Sequence, residues 1–143
     1  MNHPETYEIH PVGVIRSPLR SRSEAPKQGD EGAPDAWLEI GPAFAEALDG
    51  VAPGAEILIL TWFHEADRDA LTVRPRGDAT RRMSGVFATR SPDRPNPIGL
   101  HRVTVVGLEG GADGGSRVLV RPLEAIDGTP VVDVKPVLDA FDR

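Results

Sequence analysis

Residues 85–100, G-V-F-A-T-R-S-P-D-R-P-N-P-I-G-L, limit this chain more than any other stretch. The first residues suit a pleated surface, which puts Val86 and Ala88 on one face and Phe87 and Thr89 on the other. Pro92, Pro95 and Pro97 then stop the strand, because each fixes φ and removes a backbone donor. Each also drives the residue before it, Ser91, Arg94 and Asn96, toward extended geometry. The expected product is a stiff loop between two strands that holds Arg90, Arg94 and Asn96 in set directions. Such a loop has little entropy left to lose when it takes a ligand. The same prolines also suit a plain connector with solvent-facing arginines.

Glycine and proline together make up about a fifth of the 143 residues, which argues against a helical bundle and for short strands joined by tight turns. That length suits one domain with a core of its own. Without cysteine there is no disulfide, thiolate metal site or sulfur nucleophile. Residues 1–10 have no apolar run that would make a signal peptide, and the longest apolar run, 57–60, is far short of a membrane span. The expectation is a cytoplasmic protein with no membrane partner.

Taken in order, residues 7–17 read as a first strand interrupted near Pro11, and 18–34 as a long polar excursion of the kind that carries function or stays disordered. A short strand at 36–40 precedes a helix over 42–48, with Pro42 in its first turn and Phe44, Ala47 and Leu48 on one face. Residues 56–63, E-I-L-I-L-T-W-F, form the expected central strand, delivering His64 and Glu65 at its carboxyl end. Strands follow at 82–90 and 100–109 around the proline loop, then at 117–126 and 131–134, with a G-G-A-D-G-G-S turn at 110–116 and a D-G-T-P turn at 127–130. About seven short strands with one short helix point to a mainly β barrel or sandwich.

Several chemistries are excluded by what is missing. The chain has no G-x-G-x-x-G, no P-loop, no G-x-S-x-G elbow and no H-E-x-x-H, and its four histidines lack metal-ligand spacing. A doubly wound methyltransferase fold needs helices that this sequence does not offer. The net charge of −6 does not suggest a nucleic-acid partner, but its distribution does. Between Arg68 and Arg102 stand eight arginines and three acids, a segment at +5 in a chain otherwise at −11. Arginine is favoured where phosphate or carboxylate is gripped by two parallel hydrogen bonds; it also simply solvates a surface.

The proline segment resembles the signature of the TsaA-like/TrmO family of S-adenosylmethionine-dependent tRNA methyltransferases. Four further blocks match in the family's order: V-G-V-I-R-S-P at 12–18, Phe63 with His64, V-R-P-R at 73–76 and D-G-T-P-V-V-D-V-K-P at 127–136. The resemblance implies a compact single-domain β-barrel over 1–143 that forms a homodimer, with S-adenosyl-L-methionine as cofactor and tRNA as partner. It implies a cofactor pocket of Gln28, Gly29, Asp30, His64, Glu65, Arg90, Leu100, Glu124, Ala125, Ile126 and Asp127. Arg90, at a strand end, suits the cofactor's carboxylate, or a salt bridge to a loop acid. Asp127 is the expected catalytic proton acceptor by its place in the chain, although aspartate in such a turn also bonds nearby backbone. Arg81, Arg82, Arg94 and Asn96 are the expected substrate-binding residues.

The bacterial tRNA enzymes of this family carry an additional C-terminal domain, whereas this chain reaches Arg143 soon after K-P-V-L. The family's L-D-L-V-D-G-T-P stands here as L-E-A-I-D-G-T-P. The expected reaction is methylation at N6 of threonylcarbamoyladenosine beside the anticodon. The alternatives are a same-fold enzyme acting on a small molecule and a non-catalytic cofactor-binding module.

Overall fold

The structure, a computed structural model, describes residues 5–21, 32–74, 80 and 82–138. Eight strands run in the order β1 (Gly13–Arg16), β2 (Ala36–Ile40), β3 (Glu56–Trp62), β4 (Thr72–Val73), β5 (Ser84–Gly85), β6 (Ile98–Gly110), β7 (Ser116–Arg121) and β8 (Pro130–Pro136). Six close into an antiparallel barrel, β1-β2-β7-β6-β3-β8, and β4 and β5 form a separate ribbon. Mainly β structure and barrel closure match the expectation.

Alternation along the strands fills the barrel. Ile15, Leu38, Ile59, Val103, Val118, Val120 and Val131 are buried together in its interior, with Ile57 and Val105 in the same cluster. β3, expected as an apolar central strand, turns Ile57, Ile59 and Thr61 inward and leaves Leu58, Leu60 and Trp62 half-buried on the outer face.

Four elements differ from the sequence reading. The first strand is limited to Gly13–Arg16, although pairing begins at Val12, whose N–H reaches the Val131 carbonyl at 2.8 Å. Pro42–Leu48 is a 3₁₀ helix with no side-chain N-cap and no buried residue. Seven residues with so narrow an apolar face do not sustain α-helical packing. The strand expected at 82–90 shrinks to Ser84–Gly85, after which Val86–Ala88 turns as 3₁₀. There Thr89 Oγ1 donates to the Val86 carbonyl at 3.0 Å, a side-chain bond that competes with a ladder. β7 stops at Arg121 because Pro122 brings no N–H to continue it.

An antiparallel barrel sends alternate connections to alternate ends. The connections 17–35, 63–97 and 122–129 begin and finish at one end, and 41–55 and 111–115 at the other. Every block of the family resemblance borders or lies in the first group.

Candidate active site

Thr61, Gly99 and His101 occupy inward positions where β3 and β6 approach the end with the long connections, and Gly99 pairs with Thr61 in the ladder. A Cβ at Gly99 would stand 2.4 Å from Phe63 Cζ and 2.5 Å from Thr61 Oγ1, so only glycine admits the phenyl ring there. That ring meets the His101 imidazole edge-on, with centroids 5.8 Å apart and planes at 84°. His101 is 2% exposed. Its Nε2 lies 2.7 Å from Thr61 Oγ1, and its Nδ1 lies 2.5 Å from Glu124 Oε1. An ionised carboxylate only accepts, so Nδ1 carries a proton; Nε2 accepts from the threonine hydroxyl when the ring is neutral and donates to its oxygen when the ring is charged. Sequence reasoning missed this group by counting His101 only as one of four scattered histidines. Its period-two spacing with Val103 and Val105, both inward, was the available signal.

The 122–129 connection supplies Glu124 and packs Leu123, Ala125 and Ile126 into the interior, so Ala125 and Ile126 offer a ligand backbone more than side chain. Asp127 follows at the turn. Its Oδ1 accepts the Ser17 N–H at 3.0 Å, and its Oδ2 accepts from Arg20 Nη1 at 3.2 Å with Arg16 Nη1 at 3.9 Å. The Asp127 N–H donates to the Leu19 carbonyl at 2.7 Å. Its carboxylate thus clamps this connection to the chain after β1, rather than bonding backbone two residues on.

The proline loop is as closed as its sequence requires. Ser91 N–H donates to Thr89 Oγ1 and Asp93 N–H to Ser91 Oγ, both at 3.2 Å, and the Asp67 N–H donates to Asp93 Oδ1 at 2.9 Å. Arg68 stacks 5.0 Å from the Trp62 ring and donates to the Pro95 carbonyl at 2.8 Å and to Asn96 Oδ1 at 3.2 Å. Arg94 departs from its expected role. Its guanidinium folds back to donate to the carbonyls of Val86 and Thr89, so it braces the loop. The fork satisfies the Thr89 carbonyl and adds to the bonds that the Val86 carbonyl already accepts from Thr89.

Arg90 is exposed and has no hydrogen-bond or ion-pair partner among the described residues. Arg82 is likewise exposed. His64 Nε2 stands 3.6 Å from Glu65 Oε2, both open to solvent. Leu100 points to the outer face of β6, away from His101, and is 43% exposed. Gln28, Gly29, Asp30 and Arg81 lie outside the described residues. No group of three or more potential metal ligands occurs among the described residues, and no described helix is long and apolar enough to cross a membrane.

The fold is thus a closed antiparallel barrel whose long polar connections gather at one end, with a buried imidazole–carboxylate pair beneath them. The profile of the tRNA-methyltransferase O N-terminal domain matches residues 14–143, and the chain belongs to that family, one of S-adenosylmethionine-dependent tRNA methyltransferases. A probable S-adenosyl-L-methionine-binding protein of Methanothermobacter thermautotrophicus is 42% identical over 134 residues, covering 94% of this chain and 92% of that protein. An S-adenosyl-L-methionine-binding protein of Archaeoglobus fulgidus is 39% identical over 138 residues, with 94% of each covered. The crystal structure of TrmO from Pseudomonas aeruginosa superposes with a TM-score of 0.71 at 30% identity, over 96% of this chain. This chain spans only 59% of the solved P. aeruginosa chain.

Proposed function

We propose that this chain binds S-adenosyl-L-methionine at the loop end of the barrel and methylates tRNA, at N6 of threonylcarbamoyladenosine beside the anticodon. The observation that carries the reading is the gathering of the family's motif segments at one end, where Arg90 is exposed and without a partner among the described residues. The residues there fit the cofactor. Arg90 offers a cation for its amino-acid carboxylate, Glu65 offers an acceptor for its ammonium or ribose hydroxyls, and buried Ala125 and Ile126 offer backbone. The cofactor, when bound, supplies a methyl already activated by its sulfonium. The chain's task is alignment: the stitched proline loop fixes Arg90, and the Asp127 clamp fixes the 122–129 connection against it.

Residues Arg81 and Arg82 are the proposed RNA contacts. Asn96, whose amide oxygen accepts from Arg68, keeps its amide nitrogen as a donor toward the acceptor base. A homodimer is proposed with its interface on the outer face of β3 and β6. There Leu60 lies opposite Leu100 and Trp62 opposite Ile98, with Ile98 and Leu100 40% and 43% exposed.

A small-molecule acceptor is favoured by one specific observation. Arg68, Arg94 and Arg102 of the basic segment are engaged within the chain, which reduces the cations facing solvent. Two measurements decide. Calorimetry on Arg90→Ala is expected to show a roughly 10- to 150-fold loss of cofactor affinity, the loss of one charge-assisted bond; unchanged affinity rejects the pocket. Affinity for tRNA against salt is expected to fall with a slope that Arg81→Ala/Arg82→Ala flattens by about 0.7–0.9 units per contact. Salt-insensitive or absent tRNA binding with the cofactor bound moves the acceptor to a small molecule.

A further inference from the structure

Resting on the reading of methyl transfer to a nitrogen that bears hydrogen, we propose that Glu124, held by His101, is the group that takes the acceptor's proton. His101 is a positioning residue. The reaction needs such a group, since the nitrogen forms a bond to the methyl carbon as that carbon leaves sulfur, and the N–H proton must go to a base. Glu124 Oε2 receives it.

Three observations single out Glu124 among the carboxylates near this end. First, its Oε1 is fixed by the imidazole at 2.5 Å, and His101 is its only hydrogen-bonding partner among the described residues, so Oε2 is left to accept. Second, its side chain is 18% exposed above a His101 side chain that is 1% exposed, which places the carboxylate at the boundary between interior and loops. Third, the other candidates are occupied or wet. Both Asp127 oxygens are engaged by Ser17, Arg20 and Arg16, and Glu65 is 52% exposed beside His64.

The imidazole is fixed from several sides. Thr61 holds Nε2, the Phe63 ring abuts it edge-on, and Gly99 leaves the room that ring needs. Burying an imidazole–carboxylate pair gains less stability than well-packed apolar side chains of the same volume, which is why such a pair beneath the loop end points to function. The arrangement also tolerates the chemistry. When Oε2 gains a proton, Oε1 still accepts from Nδ1, so no buried donor loses its partner.

The test uses the full chain with S-adenosyl-L-methionine and tRNA carrying threonylcarbamoyladenosine. Glu124→Gln keeps the shape and the bond to His101 but cannot accept a proton. It is expected to bind cofactor within about twofold of wild type, to melt at the same temperature, and to lose roughly 10²- to 10⁴-fold in single-turnover rate. His101→Asn retains a donor near the Nδ1 position and is expected to keep more rate than His101→Val, whereas a packing role alone gives the reverse order. Ring ¹⁵N shifts of the cofactor-free protein are expected to show that the Nδ1–H of His101 persists in Glu124→Gln. Full-rate methylation by Glu124→Gln overturns the proposal, as does a large loss of cofactor affinity with the rate retained at saturation, which makes Glu124 a cofactor ligand. A wild-type chain that leaves the modified nucleoside unmethylated overturns the acceptor reading, and the proton acceptor falls with it.

Discussion

At one end of the barrel the connections close on their own backbone; at the other, side chains add bonds of their own to those of the backbone. Within 41–55, Phe44 N–H reaches the Gly41 carbonyl at 2.9 Å, Asp49 N–H reaches Glu46 at 3.1 Å and Val51 N–H reaches Leu48 at 2.9 Å. Gly111 N–H likewise closes the short turn onto Gly115 at 2.9 Å. An apolar hollow of about 370 Å³ lies there, lined by Val12, Phe44, Leu48, Val51 and Val134 among others. The long connections of the other end also make backbone bonds, such as Val86 N–H to Leu71 and Leu123 N–H to Pro34, and add side-chain bonds from Thr89, Ser91, Asp93, Arg94, Arg68 and Asp127. This hollow is not where the family's motifs meet. Backbone-closed turns tolerate any sequence of the right shape. Side-chain-closed loops tie shape to identity, and identity is what a site needs.

The largest effect that tests this contrast comes from one substitution made twice on β6. Gly99→Ala drives a methyl into Phe63 and Thr61 and is expected to cost about 1–3 kcal/mol in a denaturant melt, together with activity. Gly107→Ala meets nothing within 4 Å and is expected to stay within about 0.5 kcal/mol. Equal losses at both positions would erase the difference between the ends. Next comes Arg94→Ala, which leaves the Val86 and Thr89 carbonyls without their charged donor; a cost of about 1.5 kcal/mol is expected, with faster proteolysis confined to the proline loop. A global loss without local opening would show that the loop is not separately braced. Leu48→Ala at the other end is expected to cost about 1 kcal/mol, below the range for fully buried leucines, and to leave cofactor affinity unchanged.

Smallest are the surface pairs Asp35–Arg121 and Glu56–Arg102, one toward each end. Each guanidinium, by hydrogen bonding, holds its carboxyl below the ordinary carboxylate value. A lowered folded value means that stability is present above the unfolded value and is lost as pH falls through the folded one, so the effect is confined to pH below about 4. Asp35→Asn and Glu56→Gln should each flatten the acid limb of the stability curve slightly and change nothing at neutral pH beyond a marginal loss. A substantial loss from either at neutral pH would place that pair in a larger network.

What could be read from the sequence follows the same division. Strands with strict alternation, such as 36–40 and 56–62, were legible because period two has one meaning once glycine and proline rule out bundles. The proline loop was legible as a loop. Where its arginines point was not, because Arg94 answers carbonyls of a 3₁₀ turn that the β-favouring letters V-F-A-T concealed. Pairings across long separations were equally hidden. Ser17 with Asp127 and His101 with Glu124 are products of barrel closure, and no local pattern announces them. The family's motif blocks located the neighbourhood, yet a buried histidine outside the recognised chemistry escaped notice.

Closure itself has a consequence in time. β1 at the start of the chain pairs with β8 near its end, with Gly13 opposite Val131, and the Asp127 clamp spans the same gap. During synthesis at about 5–20 residues per second, β1 waits on the order of ten seconds for its partner to be made. Until then it has β2 on one side and an open edge on the other, and the loop after it has no anchor. Nascent chains that stop short of β8 therefore hold neither a sealed interior nor an assembled loop end. The loop end is complete only when the last strand is in place.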